Sequence, residues 1–409
     1  MARAAPPLLE LSNGSKNLFP PKSMQDTRKM IEQLCIDINF AHKVGKLEMF
    51  VGGNNTAILF TCLPLKSTSE DQRVACVLRT SLRNHFKGSP PVDNNMKSEV
   101  SITDYFRQKR NLPIPLVLAW DCTYENIIQC PYSILEQVEG ETLEFEFFKL
   151  HNGLKHKIPR NCNVDRRCKF ARCVSVFVAA MDKTELPGYG LFIASTNMPH
   201  KGIKLEVDLQ LSRHSIDGIK IPSEIKFANW VNNILNAQMQ RTSDIFLKLS
   251  PVEVWKIQKL RQIGSQMEEK GLLSNEPAVL WHADFYPRNI MVESTKDYAL
   301  LTGVIDWDDA RAVIFKLMFL WLPRIVARSP PAWLWSMTES QSEKDAIAAA
   351  FYDEIERLRP GYKDDACMPI RKAVRALCMY AVFGVNFQHY LELSFDALVR
   401  YWVDFMKRG

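Results

Sequence analysis

Apolar residues recur at helical spacing from Ser23 to Phe40, where Met30, Ile31, Leu34 and Ile38 share one face and Ser23 stands as an N-cap. The same period predicts helices over Glu99–Lys109, Asp165–Lys183, Glu224–Arg241 and Pro251–Glu269. In the last of these, Val254, Ile257, Leu260 and Ile263 fall at core positions. The C-terminal part reads as helical: Ser342–Leu358, stopped by Pro360-Gly361, then Pro369–Val385 and Leu391–Met406. Short β-prone runs cover Ala57–Phe60, Val74–Arg79, Pro113–Trp120, Ile127–Leu135, Ala278–Leu280, Ile290–Val292 and Tyr298–Ile305. Ser81–Asn95 and Leu186–Gly202 are rich in turn formers and read as loops.

Two of the late strand runs bracket a chemically informative sequence. His282-Ala283-Asp284-Phe285-Tyr286-Pro287-Arg288-Asn289 is followed, across a turn-like Glu293–Asp297, by Val304-Ile305-Asp306-Trp307-Asp308. A hairpin here would bring Asn289 and Asp306 to one point. Phosphoryl transfer from a nucleotide needs such a set: a carboxylate to take or orient a hydroxyl proton, and an amide with a second carboxylate to hold Mg²⁺ against phosphates. The order His-x-Asp-x₄-Asn and then Asp is also that of the protein-kinase catalytic loop and its metal-binding Asp. Asp284 is thus the catalytic candidate, with Asn289 and Asp306 the metal ligands. His282 is read as support for the loop. Asp308 has three uses open to it: holding Arg288, standing near metal, or capping a helix at Ala310. Reading His282, Asp284, Asp306 and Asp308 as a two-metal hydrolase would leave Asn289 without a role.

Upstream, Phe50-Val51-Gly52-Gly53-Asn54-Asn55-Thr56 joins two strand runs. Gly52-Gly53-Asn54 is either a plain hairpin turn or one whose backbone approaches phosphates closely.

These residues carry a resemblance. H-A-D-F-Y-P-R-N-I-M-V followed by V-I-D-W-D-D-A is similar to the aminoglycoside phosphotransferase and choline kinase-like superfamily, and Trp321–Trp335 to its fungal members. The resemblance covers roughly residues 45–400. It implies an α+β, bilobal protein-kinase-like fold, with an N-lobe antiparallel sheet plus helix and a mostly helical C-lobe. The implied limits are an N-terminal extension over residues 1–45, an N-lobe over 46–137 and a C-lobe over 138–409. The resemblance further implies that Gly52, Gly53 and Asn54 cover the phosphates of ATP (or GTP). Arg79 would replace the phosphate-binding Lys and pair with Glu99, and the backbones of Glu136 and Val138 would meet the adenine. The implied activity is Mg²⁺-dependent transfer of the γ-phosphate to a small-molecule hydroxyl, with a secondary metabolite, a choline-like compound or a sugar alcohol as acceptor. A kinase-like pseudoenzyme that binds nucleotide without transfer is the alternative.

Composition narrows the setting. A net charge of +6, spread over 52 basic and 46 acidic residues, suits anionic ligands but is too scattered for nucleic acid. The basic run Lys155–Arg172 reads as a solvated helix face. Ala312–Ala327, the most apolar window, is broken by Lys316, Pro323 and Arg324, so no membrane span is expected. Ten cysteines without regular pairing suggest reduced thiols of a cytoplasmic protein. Cys162, Cys168 and Cys173 lack the pair spacing of a zinc site.

Overall fold

The early β-prone runs form one five-stranded antiparallel sheet in the order β1-β2-β3-β5-β4. Its strands are β1 (Ala41–Val51), β2 (Asn55–Pro64), β3 (Val74–Ser81), β4 (Val117–Asp121) and β5 (Tyr132–Glu136). This computed structural model describes residues 23–51, 55–65, 69, 72–81, 94–110, 112–148, 164–185, 215–216, 219–220, 227–240, 249–273, 277–280, 282, 284–295, 298–307, 321–323, 330–331, 333–336, 340–385 and 393–408.

The chain divides into two units, residues 1–93 with 119–135, and residues 94–118 with 136–409. In the smaller unit, β2 buries Thr56, Ile58, Phe60 and Cys62 and leaves the residues between them half-buried. That alternation is what a sheet with one face on a core requires. Helix α1 (Met24–Asp37) packs on β1 and buries Ile31, Leu34 and Cys35. Its cap is the expected one, with the Ser23 side chain accepting from the Asp26 N–H at 3.4 Å.

Strands β4 and β5 are shorter than their apolar runs. Pro113 and Pro115 lack the N–H a ladder needs, and the carbonyl of Pro113 is spent on the Val304 N–H at 2.8 Å. Before β5 a polar turn wins over hydrophobicity: Asn126 Nδ2 donates to Asp121 Oδ2 and to the carbonyls of Thr123 and Cys130, and Gln129 takes a left-handed φ of 52°.

The larger unit begins with α2 (Asn94–Arg110), which starts ahead of the expected Glu99. After β6 (Glu141–Thr142) and α3 (Leu143–Phe148) come α4 (Val164–Asp182), a two-residue pair β7 (Ser215–Ile216) and β8 (Ile219–Lys220), α5 (Phe227–Gln240) and α6 (Pro251–Glu269). Helix α6 has the bounds its pattern predicts, because a capping box fixes its start: Ser250 and Glu253 each accept the other's backbone N–H. Helices Gln341–Leu358, Tyr362–Cys367, Pro369–Phe383 and Phe395–Arg408 complete the chain. The penultimate one stops short of Val385 because Gly384 turns the backbone to φ 89°.

Two hydrophobic cores form in this unit. One packs α4 and helix Gln341–Leu358 around Phe170, Phe177 and Phe351, and takes in Ile290, Val304 and Trp307. The other joins α5, α6 and the last two helices around Val231, Leu260, Leu377 and Trp402. The first core reaches the segment that bears the candidate chemistry; the second does not. Among the described residues no helix is long and apolar enough to cross a membrane.

Cys168 and Cys173 lie on α4, with their thiols directed at the carbonyls of Ala346 and Ala299. Cys162, the Leu186–Gly202 loop and Ser81–Asn95 beyond its first and last two residues lie outside the described residues.

Candidate active site

A hairpin delivers the site. Strand β9 (Ala278–Leu280) leads to His282 and Asp284, a single 3₁₀ turn covers Pro287–Asn289, and β10 (Ile290–Ser294) pairs antiparallel with β11 (Ala299–Val304). The register sets Ile290 opposite Val304, and one further bond, Ile305 N–H to the Asn289 carbonyl at 2.9 Å, closes the ladder. Asn289 and Asp306 therefore flank the last rung of the ladder, as the hairpin reading expects. Asp306 takes a left-handed φ of 65°. That conformation is uncommon outside glycine, is tolerated best by Asp and Asn, and is concentrated at functional sites.

His282 braces the loop from inside. Its Nδ1 accepts the Asp284 N–H at 3.1 Å, so its Nε2 carries the hydrogen and donates to the Ile305 carbonyl at 3.0 Å. One neutral imidazole thus ties Asp284 to the residue before Asp306. It is buried at 2% exposure, with its ring 4.4 Å from that of Trp307, whose indole N–H is satisfied by the Val304 carbonyl. A positively charged ring would place a second donor against the Asp284 N–H, so the supporting role expected of His282 is the one its bonds describe.

Asp284 is 7% exposed, and both oxygens of its carboxylate accept hydrogen bonds from its own loop. Arg288 Nη2 donates to both Oδ1 and Oδ2 at 2.6 Å, and Asn289 Nδ2 donates to Oδ2 at 2.7 Å and to the Asp284 carbonyl at 2.9 Å. Both amide hydrogens of Asn289 point at Asp284, and its Oδ1 accepts no hydrogen bond among the described residues. An amide oxygen beside a carboxylate residue is a donor pair for a hard cation. Asn289 and Asp306 are the residues that could hold one.

Holding Arg288 is one of the three uses open to Asp308, which, with Ala283, lies outside the described residues; the structure pairs Arg288 with Asp284. The signal that could have found this pair is its i,i+4 spacing, which a tight turn turns to one side.

The predicted hinge meets the same hairpin. Val138 fills the space left by Gly303, where an added Cβ would stand 2.6 Å from Val138 Cγ1, and Thr302 Oγ1 donates to the Glu139 carbonyl at 2.6 Å. Gly140 has a φ of 97° and lies against the Val292 backbone, and β6 then pairs with β10. Glu136 uses its side chain structurally: Oε2 accepts from the Leu116 N–H at 3.2 Å and from Arg107 Nη2 at 3.5 Å.

The remaining nucleotide candidates are carried by other elements. Arg79 is buried on β3 of the smaller unit and Glu99 is buried on α2 of the larger. Gly52, Gly53 and Asn54 lie outside the described residues.

Residues 214–360, which contain His282, Asp284, Asn289 and Asp306, match the model of a family described as the phosphotransferase enzyme family, APH. Over these residues the chain is similar to that family. Its curated relatives match over short stretches. The mitochondrial "altered inheritance of mitochondria protein 9" of Clavispora lusitaniae is 38% identical over 52 residues, 13% of this chain and 9% of that protein. A subtelomeric hrmA-associated cluster protein of Aspergillus fumigatus is 37% identical over 60 residues, 15% of this chain and 12% of its own length. Among solved structures, the aminoglycoside phosphotransferase APH(4)-Ia aligns with a TM-score of 0.49 at 14% identity, over 91% of this chain and 98% of that one. An ethanolamine kinase of Plasmodium vivax aligns with a TM-score of 0.45 at 13% identity, over 96% and 90%. The expected α+β class, an antiparallel sheet followed by a mostly helical remainder, is the one the described residues adopt.

Proposed function

We propose that the protein transfers the γ-phosphate of ATP to a hydroxyl of a small molecule with Mg²⁺, in the cytoplasm, and that the acceptor is a secondary metabolite or a choline-like or sugar alcohol. The observation that carries this reading is the convergence of Asp284, Asn289 and Asp306 on one end of the β10–β11 ladder. Asp284 would orient the acceptor hydroxyl. As the acceptor oxygen bonds to the γ-phosphorus, the bond to the β,γ-bridging oxygen breaks, ADP leaves, and the hydroxyl proton passes to Asp284 or to solvent. A carboxylate pinned by a guanidinium is a poor base, so orientation would contribute more than proton abstraction.

Asn289, through its unengaged Oδ1, and Asp306 would hold the metal, which supplies charge neutralisation at the phosphates. The smaller lobe, taken as residues 46–137, would bind nucleotide through Gly52, Gly53, Asn54 and an Arg79–Glu99 pair. The backbones of Glu136 and Val138 would receive the base. The neighbouring proteins solved with ADP, with AMP-PNP and with GDP are themselves phosphotransferases, and they leave ATP and GTP as competing donors to be tested.

One observation favours a second reading, a nucleotide-binding protein without transfer: the guanidinium of Arg288 covers both oxygens of Asp284. Calorimetry with AMP-PNP, with and without Mg²⁺, tests both readings at once, since each requires metal-dependent binding. Transfer of label from [γ-³²P]ATP into a metabolite extract then separates them. Labelled product lost in Asp284→Asn supports transfer; binding without product supports the second reading. No binding removes both.

A further inference from the structure

Arg288 sits where no metal- or phosphate-binding role has been assigned, yet its placement is specific. Its side chain is 53% exposed, while the carboxylate it holds is buried. Its guanidinium carbon lies 5.0 Å from the centre of the Tyr286 ring, so the planar group is fixed by an aromatic face on one side and a carboxylate at its end. Among the described residues only Nη2 is engaged, and it is shared between Oδ1 and Oδ2 of Asp284.

A carboxylate offers about four acceptor sites, two on each oxygen. On Asp284, Oδ2 has both its sites filled, by Arg288 and by Asn289, whereas Oδ1 has accepted one bond, from Arg288. Among the described residues one site remains without a donor, and it is on Oδ1. The guanidinium therefore does not close the carboxylate to an incoming hydroxyl: it leaves a single direction of approach and fixes the plane in which that approach is made.

We propose that Arg288 is a positioning residue for phosphoryl transfer, holding Asp284 so that the nucleophile hydrogen-bonds to Oδ1 and to no other site. This rests on the phosphotransferase reading. A carboxylate free to rotate about its side-chain torsions would present either oxygen in many directions, and misplacement by about 1 Å can cost on the order of 100-fold in rate. The role is carried by planar geometry together with charge, so Lys, a point charge on a flexible stem, should replace it only in part.

The test uses the full-length protein with Mg-ATP and water as nucleophile, read as phosphate release, in Arg288→Gln, Arg288→Lys and Arg288→Ala. Arg288→Gln should lower kcat on the order of 100-fold with KM for ATP nearly unchanged, Arg288→Lys should fall between it and the wild type, and added methylguanidine should restore part of the rate of Arg288→Ala. A readout independent of turnover accompanies it. Thermal unfolding midpoints without nucleotide, for Asp284→Asn, Arg288→Gln and the double variant, should be non-additive, because the pair is in direct contact. An unchanged kcat in Arg288→Gln, a change in KM alone, or additive midpoints would each overturn the role of Arg288. Should Arg288→Gln fail to fold, Arg288→Lys decides: a wild-type rate there also overturns it. Absence of both Mg-AMP-PNP binding and phosphate release in the wild type would instead overturn the phosphotransferase reading beneath it.

Discussion

The segment 282–307 and the strand pair β2–β3 both carry residues expected to handle a nucleotide, but they are organised differently. In 282–307 every candidate is held by neighbours within about two dozen positions: Asn289 by Asp284, Ile305 by Asn289, and His282 by both ends of the loop. On β3, Arg79 is positioned by a sheet whose register runs Ala57 to Arg79, and its expected partner Glu99 lies on α2 of the other unit. The first region builds its chemistry from local backbone geometry. The second depends on partners that no short-range spacing specifies. The contrast teaches that a site closed by one hairpin can be recognised from a motif, whereas an ion pair between separate elements can only be nominated.

Substitutions can break that contrast, and the strongest act on the hairpin. Asp306→Ala should abolish transfer, and Asp284→Asn should reduce it by about 10²–10⁴-fold, the range of a positioned acid–base group. Calorimetry should find Mg-AMP-PNP binding retained in Asp284→Asn. If both variants keep wild-type rates, the local site is not the reactive one.

His282→Leu comes next. It removes two bonds, to Asp284 and to Ile305, and leaves the Asp284 N–H and the Ile305 carbonyl without the partner they had. A loss of about 1–3 kcal/mol per unsatisfied buried group is expected by urea unfolding, with kcat falling more than stability alone explains. Gly303→Ala should cost a similar 1–3 kcal/mol through overpacking, because its Cβ would stand 2.6 Å from Val138. Equilibrium unfolding with an unchanged midpoint would show that Val138 yields freely.

Arg79→Ala sharpens the other half of the comparison. It should raise KM for nucleotide by about tenfold, equivalent to about 1.4 kcal/mol of lost binding, with a smaller effect on kcat. If Glu99→Gln shifts KM in the same way and the double variant adds nothing, the two act as a pair. The smallest effect belongs to Ser250→Ala, which removes the capping box of α6, part of neither region, and should cost about 1 kcal/mol with transfer unaffected.

The legible parts of the molecule were those with short physical causes. Helix α6 could be bounded to the residue because its cap is chemical, Ser250 against Glu253. The ends of β4 and β5 could not, since Asn126 and its three acceptors outweigh the apolar run that precedes β5. Asp284, Asn289 and Asp306 were legible because a fixed spacing and one turn suffice to gather them. The Arg288–Asp284 pair was not legible, because it is the 3₁₀ turn that brings the guanidinium to that carboxylate. The packing of Val138 into the place of a Gly303 side chain, and the use of the Glu136 carboxylate on the Leu116 backbone, had no signal at all.

By itself, then, the sequence determined the class of elements, the hairpin and the gathering of three candidate residues at its end, since each follows from periodicity or from spacing along the chain. Tertiary structure alone decided which atoms of those residues stay open. The tautomer of His282 and, among the described residues, the unengaged Oδ1 of Asn289 and the remaining site on Asp284 Oδ1 are set by which donors reach them, and that depends on three-dimensional distance.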